Sequence, residues 1–552
     1  MKRKNIVFKA LTCGLATLAF TACTDTWESH YTPKAELNAT ETLWDLIQAD
    51  DELSQFEELV KATGYDNLLN QNRFYTVWAP VNGSDIYTQY DDLTTLNDSM
   101  KEVLKFEFIE NHVADYNHTA SGVMTEDNLV KMLNGKYNRF EGSTDAYTFK
   151  KVAVTEANIA AKNGLLHKTE NNAVFTANVW EQLAKESSLS LLNSFLKSYD
   201  EVIFDAANSV QGPMVNGKVT YLDSVVIENN EWFSRIGQLN REDSSWTMFA
   251  PTNQAWLEAY DKAKNYFVYP ETEPKRDSLQ RVMAESFLCH HLVFSNNINK
   301  GKEQDSLTSI CRTDYAGYDK EVFKGAELER LYDNLVESKE LSNGTLNIVD
   351  SYNYRPFWHD TIRIQGETLL GEAEGLEGDA REYKGAYKTY ASISKDSVNK
   401  YRQTSNGSIG VYTNSSPTGN PTLTYTIKNT LSAKYRIRVV LVPKQFIDWK
   451  DTLDIKPNYV SASIYYKELT GKKSKKIELL KKYETNPYKV DTLILNPKDA
   501  EYIEFPVNEF NLDASETTVA QLEIKGEVSS RDSKYDRVLR VEQVFLEPVI
   551  EE

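Results

Sequence analysis

The chain has 552 residues, 81 acidic and 62 basic, for a formal charge of −19, and it holds seven histidines. An acid excess of this size repels nucleic acid and anionic lipid surfaces, so neither is expected as a partner. Few histidines, and no His-Glu-x-x-His, Gly-x-Ser-x-Gly, phosphate-cradling Gly-rich loop or Cys-x-x-Cys, argue against an enzyme. No catalytic residue, metal ligand or cofactor is therefore assigned. Among 81 acids, carboxylate pairs carry no information, and glycosidase pairs follow no spacing rule.

The N-terminus reads as a targeting segment. Lys2, Arg3 and Lys4 precede an apolar run, Ala10–Ala22, too short to span a bilayer. The run ends Phe20-Thr21-Ala22-Cys23, which resembles a bacterial lipobox. That resemblance implies a leader of residues 1–22, lipid attachment at Cys23 and a polar tether over 23–38. Cleavage removes four cations and no acid, taking the charge from −19 to −23. Asp25 and Glu28 form a broken acidic run just past the cysteine, of the kind that directs some Gram-negative lipoproteins outward. The expected location is the outer membrane, lipid-anchored and surface-exposed. An ordinary secretory signal with an incidental Cys23 is the alternative.

Over Glu41–Thr63, apolar residues recur at helical spacing with a break near Asp50-Asp51, which predicts two short helices. Tyr75–Pro80 reads Tyr-Thr-Val-Trp-Ala-Pro, an apolar run closed by a residue that cannot donate to a sheet ladder. This predicts a buried strand with a hard stop. Met100–Val113 predicts a helix, Val123–Leu133 and Tyr147–Val154 short strands, and Asn163-Gly164 a turn. Val174–Val179 closes the unit.

A second unit opens with a helix over Leu189–Ile203, Leu192, Phe195, Leu196, Tyr199 and Ile203 lining one face. Trp246–Pro251 repeats the Pro-terminated strand, and Asn253 is placed to cap a helix over Gln254–Ala263. Phe267–Asp277, with two prolines and three acids, reads as an exposed insertion before a helix over Leu279–Val293. Three features recur in the same order: Pro80 and Pro251 differ by 171 positions, His112 and His291 by 179, Gly164 and Gly344 by 180. Two copies of one domain follow, over 39–182 and 184–355, each of ordinary domain size.

The repeated pieces carry a family resemblance. Thr247-Met248-Phe249-Ala250-Pro251-Thr252-Asn253 resembles the signature strand–turn–helix of fasciclin domains. The Asn-Gly segments at Asn163 and Asn343 resemble that family's second motif, and those around His112 and His291 its intervening one. The likeness spans roughly Ala35–Tyr354; copy one departs from it with Val81-Asn82-Gly83. It implies compact α+β domains used for adhesion or extracellular contacts. His112 and His291 occupy the family's tyrosine–histidine position, tied to receptor contacts in animal relatives. Asn111 and His290 replace the tyrosine here, so structural hydrogen bonds are expected of them, as of His118 and His167. Cys289, His290 and His291 point apart on a helix and make a poor metal chelate. Cys289 and Cys311 are the two mature-chain cysteines other than Cys23. They sit in a disulfide-permissive compartment, but Cys289 also suits an apolar helix as a small hydrophobe.

From Phe357 to Glu552 the pattern changes. Leu423–Ile427 and Tyr435–Leu441 alternate strictly. Ile464–Tyr466, Leu493–Leu495, Tyr502–Val507, Val519–Ile524 and Val538–Leu546 continue, which predicts an antiparallel β-sandwich over 357–552. Trp358, Trp449, Tyr412, Tyr465 and Tyr466 are candidate stacking surfaces for a sugar ring, weighed against burial as core. Gly366–Glu382, with six acids and four glycines, reads as a solvated acidic loop rather than a calcium ladder.

The expected architecture is multidomain: two α+β fasciclin-like domains followed by an all-β sandwich. Its anchor and domains resemble accessory lipoproteins of starch-utilisation-type outer-membrane uptake systems. The resemblance implies a non-catalytic scaffold or substrate-capture subunit. Its partners would be an outer-membrane transporter, that transporter's lid lipoprotein and a polysaccharide or peptide ligand. A fasciclin-type adhesin is the alternative.

Overall fold

The computed structural model describes residues 39–549, apart from 145, 205, 207–209, 216, 224–225, 302–304, 313–319, 353–360, 368–377, 385–386, 393–406, 428–429, 448, 475, 499 and 507–519. The leader, Cys23 and the tether lie outside the described residues, as do Trp358 and most of Gly366–Glu382. Two compact units divide at Ala177/Asn178.

The first unit is built on a seven-stranded sheet. Its inner strand, Tyr75–Pro80, is buried throughout. It pairs in parallel with Gly164–Thr169 (Tyr75↔Gly164 to Pro80↔Thr169) and antiparallel with Val113–Asp115. Successive side chains of a strand face opposite sides, so this strand feeds two cores. Val77 joins Leu43, Phe56 and Phe108 under the helices, while Trp78 joins Phe140 and Phe149 on the other face. The opening helices are Leu43–Ala49 and Ser54–Ala62, separated by a 3₁₀ turn at Asp51–Leu53, matching the predicted break. The helix predicted over Met100–Val113 is α only over Asp98–Leu104. It continues as a π turn, Lys105–Ile109, and Val113 already belongs to a strand.

The second unit repeats the frame. Trp246–Pro251 pairs in parallel with Gly344–Val349 in the same register (Trp246↔Gly344 to Pro251↔Val349), and antiparallel with Val293–Ser295. Its opening helix is Val179–Lys185, whose Asn178–Glu181 capping box fixes the start. The domain boundary expected at 182 therefore falls inside a helix. The helix predicted over Leu189–Ile203 stops at Lys197, and Asp200–Phe204 is a strand with Ile203 exposed. Thr252, not Asn253, caps the next helix, Asn253–Ala263, its hydroxyl accepting from the Ala255 N–H.

Two asparagines explain why both frames agree. Asn163 accepts from the Leu43 N–H at 2.8 Å and donates to the carbonyls of Leu69 (2.8 Å) and Gln71 (2.7 Å). Asn343 repeats this: it accepts from Val179 N–H at 2.9 Å and donates to Leu239 (2.8 Å) and Arg241 (3.0 Å). Each ties the first helix to the loop before the inner strand. The asparagines after the prolines form a second matched pair. Asn82 accepts from the Gln55 N–H and donates to Asp51 O and Ser54 Oγ; Asn253 accepts from Leu191 and donates to Ser187 and Ser190. Both cap the second opening helix of their own copy rather than the helix that follows them.

Downstream strands form a seven-stranded and a five-stranded antiparallel sheet. Alternation decides their faces: Tyr435, Ile437, Val439 and Leu441 are buried, as are Ala520, Leu522 and Ile524. The pattern missed Ile362–Gln365, Gly378–Lys384, Tyr387–Ser392, Ser408–Thr413 and Ile477–Glu484. The end of the supposed acidic loop, from Gly378, is thus a strand paired with Thr422–Ile427. Of Phe267–Asp277, expected as an exposed insertion, the part from Glu271 on is largely exposed, but Phe267, Tyr269 and Pro270 are buried. Phe267 and Tyr269 are buried in one core that runs from Trp180 and Phe249 to Ile437 and Leu522. Backbone bonds from Ser432 N–H to Tyr266 O (2.7 Å) and from Glu271 N–H to Leu469 O (2.7 Å) dock this segment on the sandwich.

Candidate functional site

The histidines are structural where their bonds can be read. Burial holds His112 down to about 4. Its Nδ1–H donates to Phe108 O (2.7 Å), and Nε2 accepts from the Ala173 N–H (2.8 Å). His167 is likewise lowered to about 4 by burial; it bonds His118 O at 2.9 Å and the Asn158 N–H at 3.2 Å. It also stacks on Trp78, with centroids 5.4 Å apart. His118, shifted downward by burial, bonds Asp115 O at 3.0 Å. A buried imidazole fixed between two backbone groups, as His112 and His167 are, holds a loop in place. His291 is buried against Phe287 and Phe323. Cys289 is fully buried at the end of helix Arg276–Cys289; the Cys311 side chain lies outside the described residues, and with it the pairing question. Among the described residues no group of three or more His, Cys, Asp or Glu is placed to hold a metal, and no helix is long and apolar enough to cross a membrane.

The expected sugar platforms scatter. Tyr412 is fully buried, its hydroxyl donating to Gly366 O at 2.5 Å, so it has no ring face to offer. Tyr466 packs on the core and Trp449 on Ile409, Val442 and Phe446. Tyr465 keeps a partly open ring, with the Lys473 ammonium 5.0 Å from its centroid.

Two clefts in the second unit bring side chains together instead. One, of about 630 Å³, lies between helices Ser190–Lys197, Asn253–Ala263 and Arg276–Cys289. Phe195, Tyr199, Trp256 and Tyr260 line it, with Arg281 and Glu285 at its edge. This is the usual size and make-up of a ligand cleft, roughly 300–1,000 Å³ of aromatic wall with few polar groups. Burial pushes the Glu285 carboxyl above the ordinary range, against the pull of Arg281 at 3.4 Å.

The other, of about 30 Å³, lies at one end of the sandwich, where strands of both sheets meet. Lys444, Lys456, Asn458, Asp491, Asp536 and Arg540 line it. Arg540 Nη1 bonds Asp536 at 2.7 Å, and the Asp491 carboxylate accepts from the Asn486 N–H at 2.6 Å. Burial raises the Asp491 pKa. Sequence reading missed this group because its members come from four separate stretches. Antiparallel pairing, not spacing, joins them; the sole local signal was the turn residues Asn486-Pro487.

Residues 51–171 match the family model of the fasciclin domain, so the first unit contains a fasciclin domain. Among solved structures the chain is similar to a FAS1 domain pair from the insect cell adhesion molecule fasciclin I (13% identity, 55% of this chain and 96% of that one, TM-score 0.20). It is also similar to the enzymatically active domain of tailspike protein 4 of bacteriophage CBA120 (10% identity, 37% and 22%, TM-score 0.21). A third is the family 32 carbohydrate-binding module of Streptococcus pneumoniae EndoD (11% identity, 31% and 96%, TM-score 0.18). At such TM-scores these likenesses decide neither fold nor function.

Proposed function

We propose that this chain is a non-catalytic surface lipoprotein, anchored through Cys23 in the outer membrane, that acts as a scaffold or substrate-capture subunit of a nutrient-uptake assembly. In this reading both copies are fasciclin domains, and the transporter and its lid lipoprotein are the partners. One observation carries the non-catalytic part: the four asparagines shared by the two copies bond backbone groups of their own copy. Asn82, Asn163, Asn253 and Asn343 together hold helix starts and loop carbonyls. Such side chains serve a frame that presents surfaces, and clefts in the second unit supply places to bind.

Co-purification from native membranes in mild detergent tests the reading. Recovery of a transporter and a lid lipoprotein, lost when Cys23→Ser blocks lipid attachment, is the expected result. The fasciclin domain at 51–171 favours adhesion as the second reading. A protein recovered alone, whose removal weakens attachment to host matrix, would replace uptake with adhesion.

A further inference from the structure

The cleft at the end of the sandwich has the chemistry of a neutral polyol site. Its cations are matched: Arg540 pairs with Asp536 at 2.7 Å, Lys444 with Asp451 at 3.0 Å and Lys456 with Asp454 at 3.8 Å. That balance disfavours a phosphate, which needs unmatched cations. It disfavours a metal ion equally, since beside Asp536, already paired with Arg540, only Asp491 adds a carboxylate to the lining.

Two buried polar atoms of the lining have no protein partner. Asn458 is 6% exposed; its Nδ2 donates to Val538 O at 3.1 Å, leaving the Oδ1 acceptor open. Arg540 uses Nη1 on Asp536, leaving the Nε–H donor open. A buried acceptor and a buried donor are each costly to fold if left bare. A hydroxyl carries both complements, a donor and an acceptor, on one oxygen. The cavity, about 30 Å³, is the size for one such group, not for a whole sugar ring. A ring would then lie outside the cavity, and the residue that follows the lining pair Asn486-Pro487 is Tyr488, an aromatic 60% exposed.

We propose that this cleft binds a neutral saccharide, drawing one of its hydroxyls between Asn458 Oδ1 and Arg540 Nε with Asp491 as a further acceptor. The inference rests on the substrate-capture reading for its place in the cell, but its test does not. Isothermal titration of the full chain in detergent with neutral malto-, xylo-, cello- and mannohexaose is expected to give saturable binding to at least one. Asn458→Ala and Asp491→Asn, checked for unchanged melting, should each weaken it tenfold or more, and Tyr488→Ala less. No binding by any of the four, or binding that both folded variants retain, overturns the proposal. So does binding of inorganic phosphate or Ca²⁺ that these variants abolish in its place. Where a variant fails to fold, Tyr488→Ala and competition by free hexose decide: loss of affinity together with displacement supports the site, and retained affinity or a failure to displace overturns it. A chain that co-purifies with a transporter yet binds no oligosaccharide defeats this inference alone. One that binds oligosaccharide through these residues yet isolates alone defeats the uptake reading alone.

Discussion

The two copies share a frame and differ on one face. In copy one the helix after the Pro-terminated strand is five residues, Asp85–Gln89, and the next begins at Asp98. In copy two the corresponding helix is eleven residues, Asn253–Ala263, and the next, Arg276–Cys289, is fourteen. The lengthened helices open the aromatic cleft, and the segment between them carries Phe267 and Tyr269 into the sandwich core. The inner strand, its parallel partner and the asparagine clamps are unchanged. A frame held by side-chain-to-backbone bonds therefore permits large change in the helices laid over it. Copy two has used that freedom to become one body with the all-β module.

The most damaging changes should be those at the glycines after the clamps. A Cβ on Gly344 would stand 1.8 Å from Trp246 O, and one on Gly164 2.0 Å from Tyr75 O. Backbone atoms of the inner strand cannot yield without breaking its parallel pairing. Gly164→Ala and Gly344→Ala should each cost more than about 4 kcal/mol. Their reach should differ. Calorimetry of Gly164→Ala should lose one transition and spare the second unit, whereas Gly344→Ala should remove the sandwich as well, because the core is shared. If Gly344→Ala left the sandwich transition intact, copy two and the sandwich would be separate bodies. Asn163→Ala and Asn343→Ala come next. Each removes three hydrogen bonds and strands buried backbone groups, for about 2–4 kcal/mol. Nearly equal losses in chemical denaturation would confirm equal clamps.

Acid should also separate the units. His112 and His167 fall from the ordinary 6.5 to about 4 in the folded first unit, so unfolding takes up protons between those values. The stability from neutral, buried imidazoles is complete above about 6.5 and lost as pH falls toward about 4. The loss is up to about 1.4 kcal/mol per pH unit for each. Circular dichroism melts from pH 7 to 4 should show the first transition descending, and His112→Gln should flatten that descent.

Much of the frame was legible because it depends on residues with few alternatives. Proline ends a ladder, and glycine after asparagine permits the close approach to the inner strand. Both leave marks that survive between two otherwise diverged copies. Alternation similarly exposed the central sandwich strands, whose two faces differ in burial. Legibility failed where a tertiary partner decided the outcome. Phe267–Asp277 has the prolines and acids of a surface loop, yet its apolar residues are covered by a domain that begins some ninety residues later. Asp200–Phe204 continues a helical run with no glycine or proline to stop it, and becomes a strand by pairing with Val226–Asn230. Tyr412 reads as an open aromatic until the sandwich closes over it. The sandwich-end cleft left no trace beyond the turn residues Asn486-Pro487, since Asn458, Asp491, Asp536 and Arg540 meet only after both sheets form.

The smallest expected effect probes the seam. Ser432 grips the docked segment at both ends of one residue. Its Oγ accepts from the Val268 N–H at 3.0 Å and donates to Val268 O at 2.9 Å, beside the Ser432 N–H bond to Tyr266 O. Ser432→Ala removes the two hydroxyl bonds and keeps the backbone one, so about 1–2 kcal/mol should go. Global melting will hardly register that loss, because Phe267 and Tyr269 still fill the shared core. Hydrogen exchange should register it: the amide of Val268 should exchange several-fold faster, while amides of the inner strand Trp246–Pro251 stay protected. Equal acceleration at both places would mean that the seam is no local fastening and that copy two opens as a whole whenever the sandwich lets go.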